Sequence, residues 1–416
     1  MTTTTLGRVS ARTSEPLGTF LRSELKPKGE LLTVFNVISI VLMIASAAIL
    51  AVRFWGGLAL VSNLDQLFPW GLWKGFCVVT GVAFAGGAYV VCFLVYIMRL
   101  EQYRPIVRIT VLNGFLAYVF YAGALLLDLG RPWNVINPVI GNSFGLTSVL
   151  FLVAWHFMLY MGAQALELSP AFAEWLGFRR AHRWLEGLTL GAVIFGICLS
   201  MLHQSGLGAL YLMAKPKIHP LWYSEFIPLL FLISSVFAGL AIVILQGSIA
   251  SKVFRRELSA RVRNSHTRTL VGLARISAGA MMAYLFLQLI TFVHEHHGAY
   301  LTGRWGQLFL LEMLGFVAIP MGMFLVGATQ RRVGMIRAAA VITVLGIVLN
   351  RLNVSMIAYN WNVPNHYVPS WQEWVVAGSV VCAQIWVFRW LVRRLPVVSD
   401  PPAWARHEQT TVEGRP

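Results

Sequence analysis

Residues 226–249 read FIPLLFLISSVFAGLAIVILQGSI, an unbroken stretch of 24 positions without a charged side chain. A helix rising about 1.5 Å per residue crosses the roughly 30 Å hydrocarbon core of a bilayer in about 20 residues. The stretch therefore predicts a membrane-spanning helix. It is too long, and lacks the strict alternation, for a strand of a membrane barrel. Working outward, nine further stretches have the same character: 32–53, 75–98, 110–128, 146–166, 187–211, 271–293, 307–326, 337–357 and 373–395. The least regular is 187–211, which holds His203, Gln204 and several glycines. Composition agrees. Of 416 residues 57% are hydrophobic and 12% charged, against about 25% charged in a soluble domain. The expected fold is an all-α integral membrane protein, a bundle of about ten transmembrane helices over 32–395. Residues 1–31 and 396–416 are read as tails. Residues 1–30 are polar and the first apolar run is long enough to span, so no cleavable signal peptide is expected.

The net charge of +16 would suggest nucleic acid on a soluble chain. Here its distribution excludes that reading. With ten spans, the tails and even-numbered loops share one side and carry 25 of the 33 Lys and Arg residues. The opposite loops carry six: Arg53, Lys74, Arg131, Lys215, Lys217 and Arg304. Arg275 and Arg351 fall within spans. By the positive-inside rule both termini are cytoplasmic. The outer loops hold the unusual residues, with tryptophan mixed among Asp, Arg and His in the stretches 68–73, 128–134, 218–222, 294–297 and 371–374. Tryptophan there suits an interfacial belt, an amphipathic aromatic ligand, or a docked partner.

Ionisable groups inside a membrane are costly and are functional candidates by default. Asp128 ends the third span, with Arg131 three residues on as a potential partner. Glu167 ends the fourth. Glu312 and Arg351 lie at similar depth in the eighth and ninth spans, which allows an ion pair tying two helices. His156 and His203 also lie at similar depth, so a bis-histidine haem is one reading and a hydrogen-bonding or proton-accepting His203 another. His294, His296 and His297 do not share a helical face and are read as an outer loop. Cys77, Cys92, Cys198 and Cys382 lie in apolar runs without a C-x-x-C, which argues against an Fe–S cluster or zinc site. Gly86-Gly87, amid small residues, marks close helix packing.

Eight stretches in order carry a resemblance. They are Leu67-Phe68-Pro69-Trp70-Gly71-Leu72-Trp73, Phe84-Ala85-Gly86-Gly87, Tyr103-Arg104-Pro105-Ile106-Val107-Arg108 and Asp128-Leu129-Gly130-Arg131-Pro132-Trp133-Asn134, followed by Met201-Leu202-His203-Gln204-Ser205, Ile218-His219-Pro220-Leu221-Trp222, Ile242-Val243-Ile244-Leu245-Gln246-Gly247-Ser248 and Pro369-Ser370-Trp371-Gln372-Glu373. Over about 35–395 the chain resembles the HybB-type integral membrane subunit of respiratory [NiFe]-hydrogenases, within the NrfD/PsrC family. The resemblance implies a quinone-binding subunit, without haem or Fe–S cluster of its own, of a hydrogen:quinone oxidoreductase in the bacterial inner membrane. It implies menaquinone or ubiquinone as cofactor. The implied partners are a periplasmic ferredoxin-like Fe–S subunit and the hydrogenase large and small subunits, with membrane lipid around the bundle. The implied quinone-binding set is Trp70, Asp128, Arg131, His203 and Gln204; the proton-transfer set is Asp128, Glu167, Glu312 and Arg351. Two departures stand out. Leu152 and Gln246 occupy positions where the family commonly has glutamate, which bears on proton translocation across the membrane. Other readings keep the family with a molybdopterin or multihaem partner, or make the chain a non-catalytic anchor. A transporter would show related halves with broken helices, and no such symmetry is visible.

Overall fold

The computed structural model describes Arg12 and residues 15–28, 32–141, 145–254 and 258–405. Arg8, Arg255, Arg256, Arg406 and Arg415, counted above with the basic side, lie outside the described residues. All ten expected spans are helices: α1 (Val34–Gly56), α2 (Trp73–Ile97), α3 (Glu101–Asp128), α4 (Val149–Leu176), α5 (Arg179–Leu212), α6 (Ile227–Val253), α7 (Ala260–His294), α8 (Arg304–Thr329), α9 (Val333–Ile357) and α10 (Trp371–Val392). Among the described residues no strand forms; one isolated bridge joins Ile218 to Tyr359. Helices α4, α5 and α7 run well past the apolar windows, to 28, 34 and 35 residues. Charged positions at their ends continue the helix beyond the hydrocarbon, where a hydropathy pattern no longer reports it.

Helices α2 and α6 form the centre and α1 lies at the rim. The inverted pattern of α1 shows why. Its buried positions are Asn36, Ser39, Ser46, Ile49 and Arg53, at helical spacing, while Val37, Ile38, Val41 and Ile44 face outward. Lipid is as apolar as any core, so helices in membranes associate through polar contacts and close packing. Here Ser379 Oγ donates to Ser46 Oγ at 2.7 Å, Trp386 Nε1 to Ser39 Oγ at 2.8 Å and Arg389 to Asn36 Oδ1 at 2.8 Å, joining α1 to α10. The central crossing rests on glycine, as expected for Gly86-Gly87. A Cβ on Gly239 of α6 would fall 1.9 Å from the Gly87 nitrogen of α2.

The two loop faces differ. On the face carrying the chain ends, the short helix Leu17–Leu25 lays Phe20 against Trp175. Arg394 donates to the carbonyls of Glu24 and Lys26. Arg108 grips Glu174 through two bonds of 2.7 and 2.8 Å. The distal face is interlaced: Asn360 N donates to the Lys217 carbonyl and its side chain to the Leu67 carbonyl, while Asn63 Nδ2 donates to Val368 O. Four helices widen into π-type turns in their distal halves, over Trp73–Thr80, Tyr118–Ala122, Leu311–Ala318 and Asn353–Ile357. Such turns rotate side chains off the regular helical azimuth and recur at functional sites.

Candidate functional site

The π-type turn of α8 carries Glu312, which is 1% exposed. An uncompensated charge at such depth costs about 3 kcal/mol or more, so its partners matter. Trp222 Nε1, from the loop after α5, donates to Oε2 at 2.8 Å, and Asn353 Nδ2 donates to the same oxygen at 2.7 Å. Asn350 Nδ2 donates to Oε1 at 2.5 Å. Arg351 does not pair with Glu312 directly, as its depth suggested. Its Nη1 donates to Asn350 Oδ1 at 2.7 Å, so the Asn350 amide lies between the two charges. Arg351 Nη2 donates to Ser234 Oγ at 2.6 Å, and its guanidinium carbon lies 3.6 Å from the centre of the Phe231 ring. Depth in a helix is readable from sequence position, whereas azimuth is set by the turn that carries the residue.

An aromatic path connects this network to the distal loops. Phe231 lies 5.7 Å from Tyr211 at the end of α5, and Tyr211 lies 4.7 Å from Trp70, which is half-buried. Three buried atoms here have no hydrogen-bond partner: Tyr211 Oη, Arg351 Nε and Asn353 Oδ1. Leaving a buried polar atom unpaired costs about 1–3 kcal/mol, so each is a place where a ligand's polar group would be favoured. On the other side of Glu312, Trp222 packs against His219, which Tyr300, Trp305 and Trp361 surround with ring centres 4.6–5.5 Å away. Burial, with His297 nearby, lowers the His219 pKa to about 4, so the imidazole is neutral at pH 7.

The remaining expected residues do not gather at one point. Asp128 is buried and pairs with Lys74 of α2 at 3.0 Å, not with Arg131. The reason is local: Leu129 is extended and ends the helix, so Arg131 is not on the same helical face and is exposed. Arg53 donates to the Leu127 and Leu129 carbonyls and so caps that helix end. His203 Nδ1 contacts the Val153 carbonyl at 3.1 Å, and its ring packs 5.5 Å from Tyr118 and 6.2 Å from Phe157. Gln204 Nε2 donates to the Val82 carbonyl at 2.8 Å. Glu167 accepts a bond from the Cys92 thiol at 3.0 Å, towards the terminal face. Among the described residues no three His, Cys, Asp or Glu side chains converge as metal ligands. Trp133, Trp371 and Trp374 face outward as an interfacial belt, whereas Trp73 and Trp222 are buried.

The arrangement missed by residue-by-residue reading is the set Asn350, Asn353, Trp222 and Tyr211 around Glu312 and Arg351. A signal existed in Asn350-Arg351-Leu352-Asn353, three polar residues within four positions of a mainly apolar span. Chemically, the set offers hydrogen-bond donors, aromatic faces and one carboxyl group able to exchange a proton.

The model of the family described as polysulphide reductase, NrfD, matches residues 60–361. A protein of Nitratidesulfovibrio vulgaris is 38% identical over 374 residues, covering 89% of this chain and 96% of its own. The probable Ni/Fe-hydrogenase 2 b-type cytochrome subunit of Escherichia coli is 29% identical over 368 residues, covering 87% of this chain and 91% of its own. The menaquinone reductase integral membrane subunit of N. vulgaris is 25% identical over 376 residues, covering 81% and 85%.

Proposed function

The chain belongs to the NrfD family, and from that premise we propose that it is the quinone-binding membrane subunit of a hydrogen:quinone oxidoreductase. In this reading residues 32–395 form the membrane domain in a bacterial inner membrane, both tails are cytoplasmic and the distal face is periplasmic. A ferredoxin-like Fe–S subunit of a [NiFe]-hydrogenase docks on that face and delivers electrons. The observation that carries the proposal is the buried Glu312–Asn350–Arg351 network ending in unpartnered donors beside Tyr211 and Trp70.

The chemistry of these donors matches the carbonyl oxygens of a quinone headgroup. When bound, the quinone supplies a two-electron, two-proton acceptor. Tyr211 Oη and Arg351 Nε would donate to a carbonyl oxygen, and the Trp70 indole would flank the ring. Arg351 keeps a positive potential where negative charge develops. Donors held in place in a low-dielectric site stabilise such charge without reorganisation. Glu312 is the nearest carboxyl group in this network and serves as the proton-exchanging group. Asn350 couples it to Arg351, because its amide donates to one and accepts from the other. Asp128 with Lys74, and Glu167 with Cys92, are assigned to proton uptake from the two faces.

The relative named as a b-type cytochrome subunit raises haem, and His156 with His203 would be its ligands. The residues around them do not fit that group. His203 contacts the carbonyl of Val153, one turn before His156, so α4 and α5 touch at this level. Tyr118 and Phe157 close on the His203 ring, and its Nε2 is enclosed. With the helices in contact at this level and aromatic rings against His203, we assign no haem to this pair.

The relative named as a menaquinone reductase subunit favours a second reading, in which the same quinone site serves a different partner enzyme. Copurification of the full chain from native membranes separates the two. Hydrogenase subunits in the complex are the expected result; a molybdopterin or multihaem enzyme in their place would establish the second reading.

A further inference from the structure

A cavity of about 210 Å³ opens at the terminal face, away from the site above, between the starts of α3 and α7 and the end of α6. Ile109, Val243, Ala250 and Leu273 make its walls apolar, while Arg263 and His266 line it as cations or donors. No carboxylate is among its lining residues. His266 Nε2 is buried without a hydrogen-bond partner. Val398, from the segment after α10, also lines the cavity.

Its depth decides what it suits. Helix α7 has 35 residues, about 52 Å of helix against a hydrocarbon core of about 30 Å. Its first turns, with Arg261, Arg263 and Arg268, therefore stand at headgroup level, and Leu270 and Leu273 reach among the chains. The cavity is cationic at one end and apolar at the other, across the boundary where lipids change character. Lys252 at the end of α6 and Arg337, which donates to Ser248 Oγ at 2.9 Å, add to the positive potential.

We propose that this cavity binds one anionic phospholipid, with an acyl chain between α3, α6 and α7 and the phosphate against Arg263 and His266. The phosphate oxygens satisfy His266 Nε2, and the net negative head matches Arg263 in a lining that, among the described residues, holds no carboxylate. A zwitterionic lipid carries a compensating ammonium that finds no carboxylate partner among these lining residues. The proposal does not rest on the quinone assignment.

The test is native mass spectrometry of the full-length protein, exchanged into nanodiscs containing phosphatidylglycerol and phosphatidylcholine. The wild type is expected to retain one phosphatidylglycerol. Gly247→Leu fills the cavity at a position where a Cβ would meet nothing within 4 Å, and is expected to abolish retention with the melting temperature unchanged. Arg263→Gln, at an exposed position, removes one charge and is expected to weaken retention about fivefold. If Gly247→Leu fails to fold, Arg263→Gln decides alone. Equal retention of phosphatidylcholine, a bound quinone in place of lipid, no retained lipid, or retention unaffected by these variants would each overturn the proposal.

Discussion

Glu312 and Glu373 are both buried carboxylates near the distal face, and each accepts three hydrogen bonds. Glu373 sits in a capping box at the start of α10. Its oxygens accept from the backbone amides of Asn63 and Ser370 and from the Tyr367 hydroxyl, and its own carbonyl accepts from Trp73. The first three fix loops to the start of α10, and the last joins the starts of α2 and α10. Glu312 accepts only from side chains, carried by α9 and the loop after α5, and its network runs on to Arg351 and stops at atoms without partners. A buried carboxylate is therefore not in itself a functional mark in this bundle. The mark is a carboxylate whose partners are side chains and whose network is incomplete.

Substitutions should separate the two carboxylates. Glu312→Gln keeps the shape and removes the exchangeable proton. It is expected to lower quinone reduction by the assembled complex about 100-fold with assembly unchanged, whereas Glu373→Gln should leave the rate within about twofold. Equal losses would erase the distinction. Glu373→Ala strands two backbone amides and is expected to cost about 1–3 kcal/mol of stability in a denaturation series; the same series should show a smaller loss for Tyr211→Phe, whose hydroxyl has at most Ser355 beside it. Tyr211→Phe should instead raise the KM for quinone about fivefold. An unchanged KM would remove Tyr211 from the site.

The smallest expected effect concerns pH. The folded pKa of His219, about 4, lies below its ordinary 6.5. Between these values the unfolded chain binds the proton that the folded chain does not. Stability from this group is therefore full above pH 6.5 and is lost as pH falls towards 4. The melting temperature should drop between pH 7 and pH 5, and His219→Gln should flatten that drop. A drop of equal size in the variant would place its origin elsewhere.

Much of the fold was legible because each span is longer than the bilayer requires and the basic residues alternate between loop sets. The glycine crossing was legible too, since Gly86-Gly87 stands among small residues. The site was only half legible. Glu312 and Arg351 stand out as charges in apolar runs, yet their linkage through Asn350 depends on the turn of α9 and on the π-type turn of α8. Neither has a hydropathy signature. Asp128 was visible, but its partner Lys74 comes from another helix 54 positions earlier, and only packing brings the two together. Asn350 and Asn353 were visible as polar residues without a stated role, because a neutral amide becomes informative only once its neighbours are known.

In the proposed function, quinone binds where Trp70, Tyr211 and the Glu312–Arg351 network meet. Photolabelling the assembled complex with an azidoquinone, followed by peptide mapping, tests it most directly. Label is expected on peptides containing Trp70 or Tyr211, displaced by excess unlabelled quinone and lost in Arg351→Met. Displaceable label confined to the terminal face, or to the surroundings of His156 and His203, would contradict it.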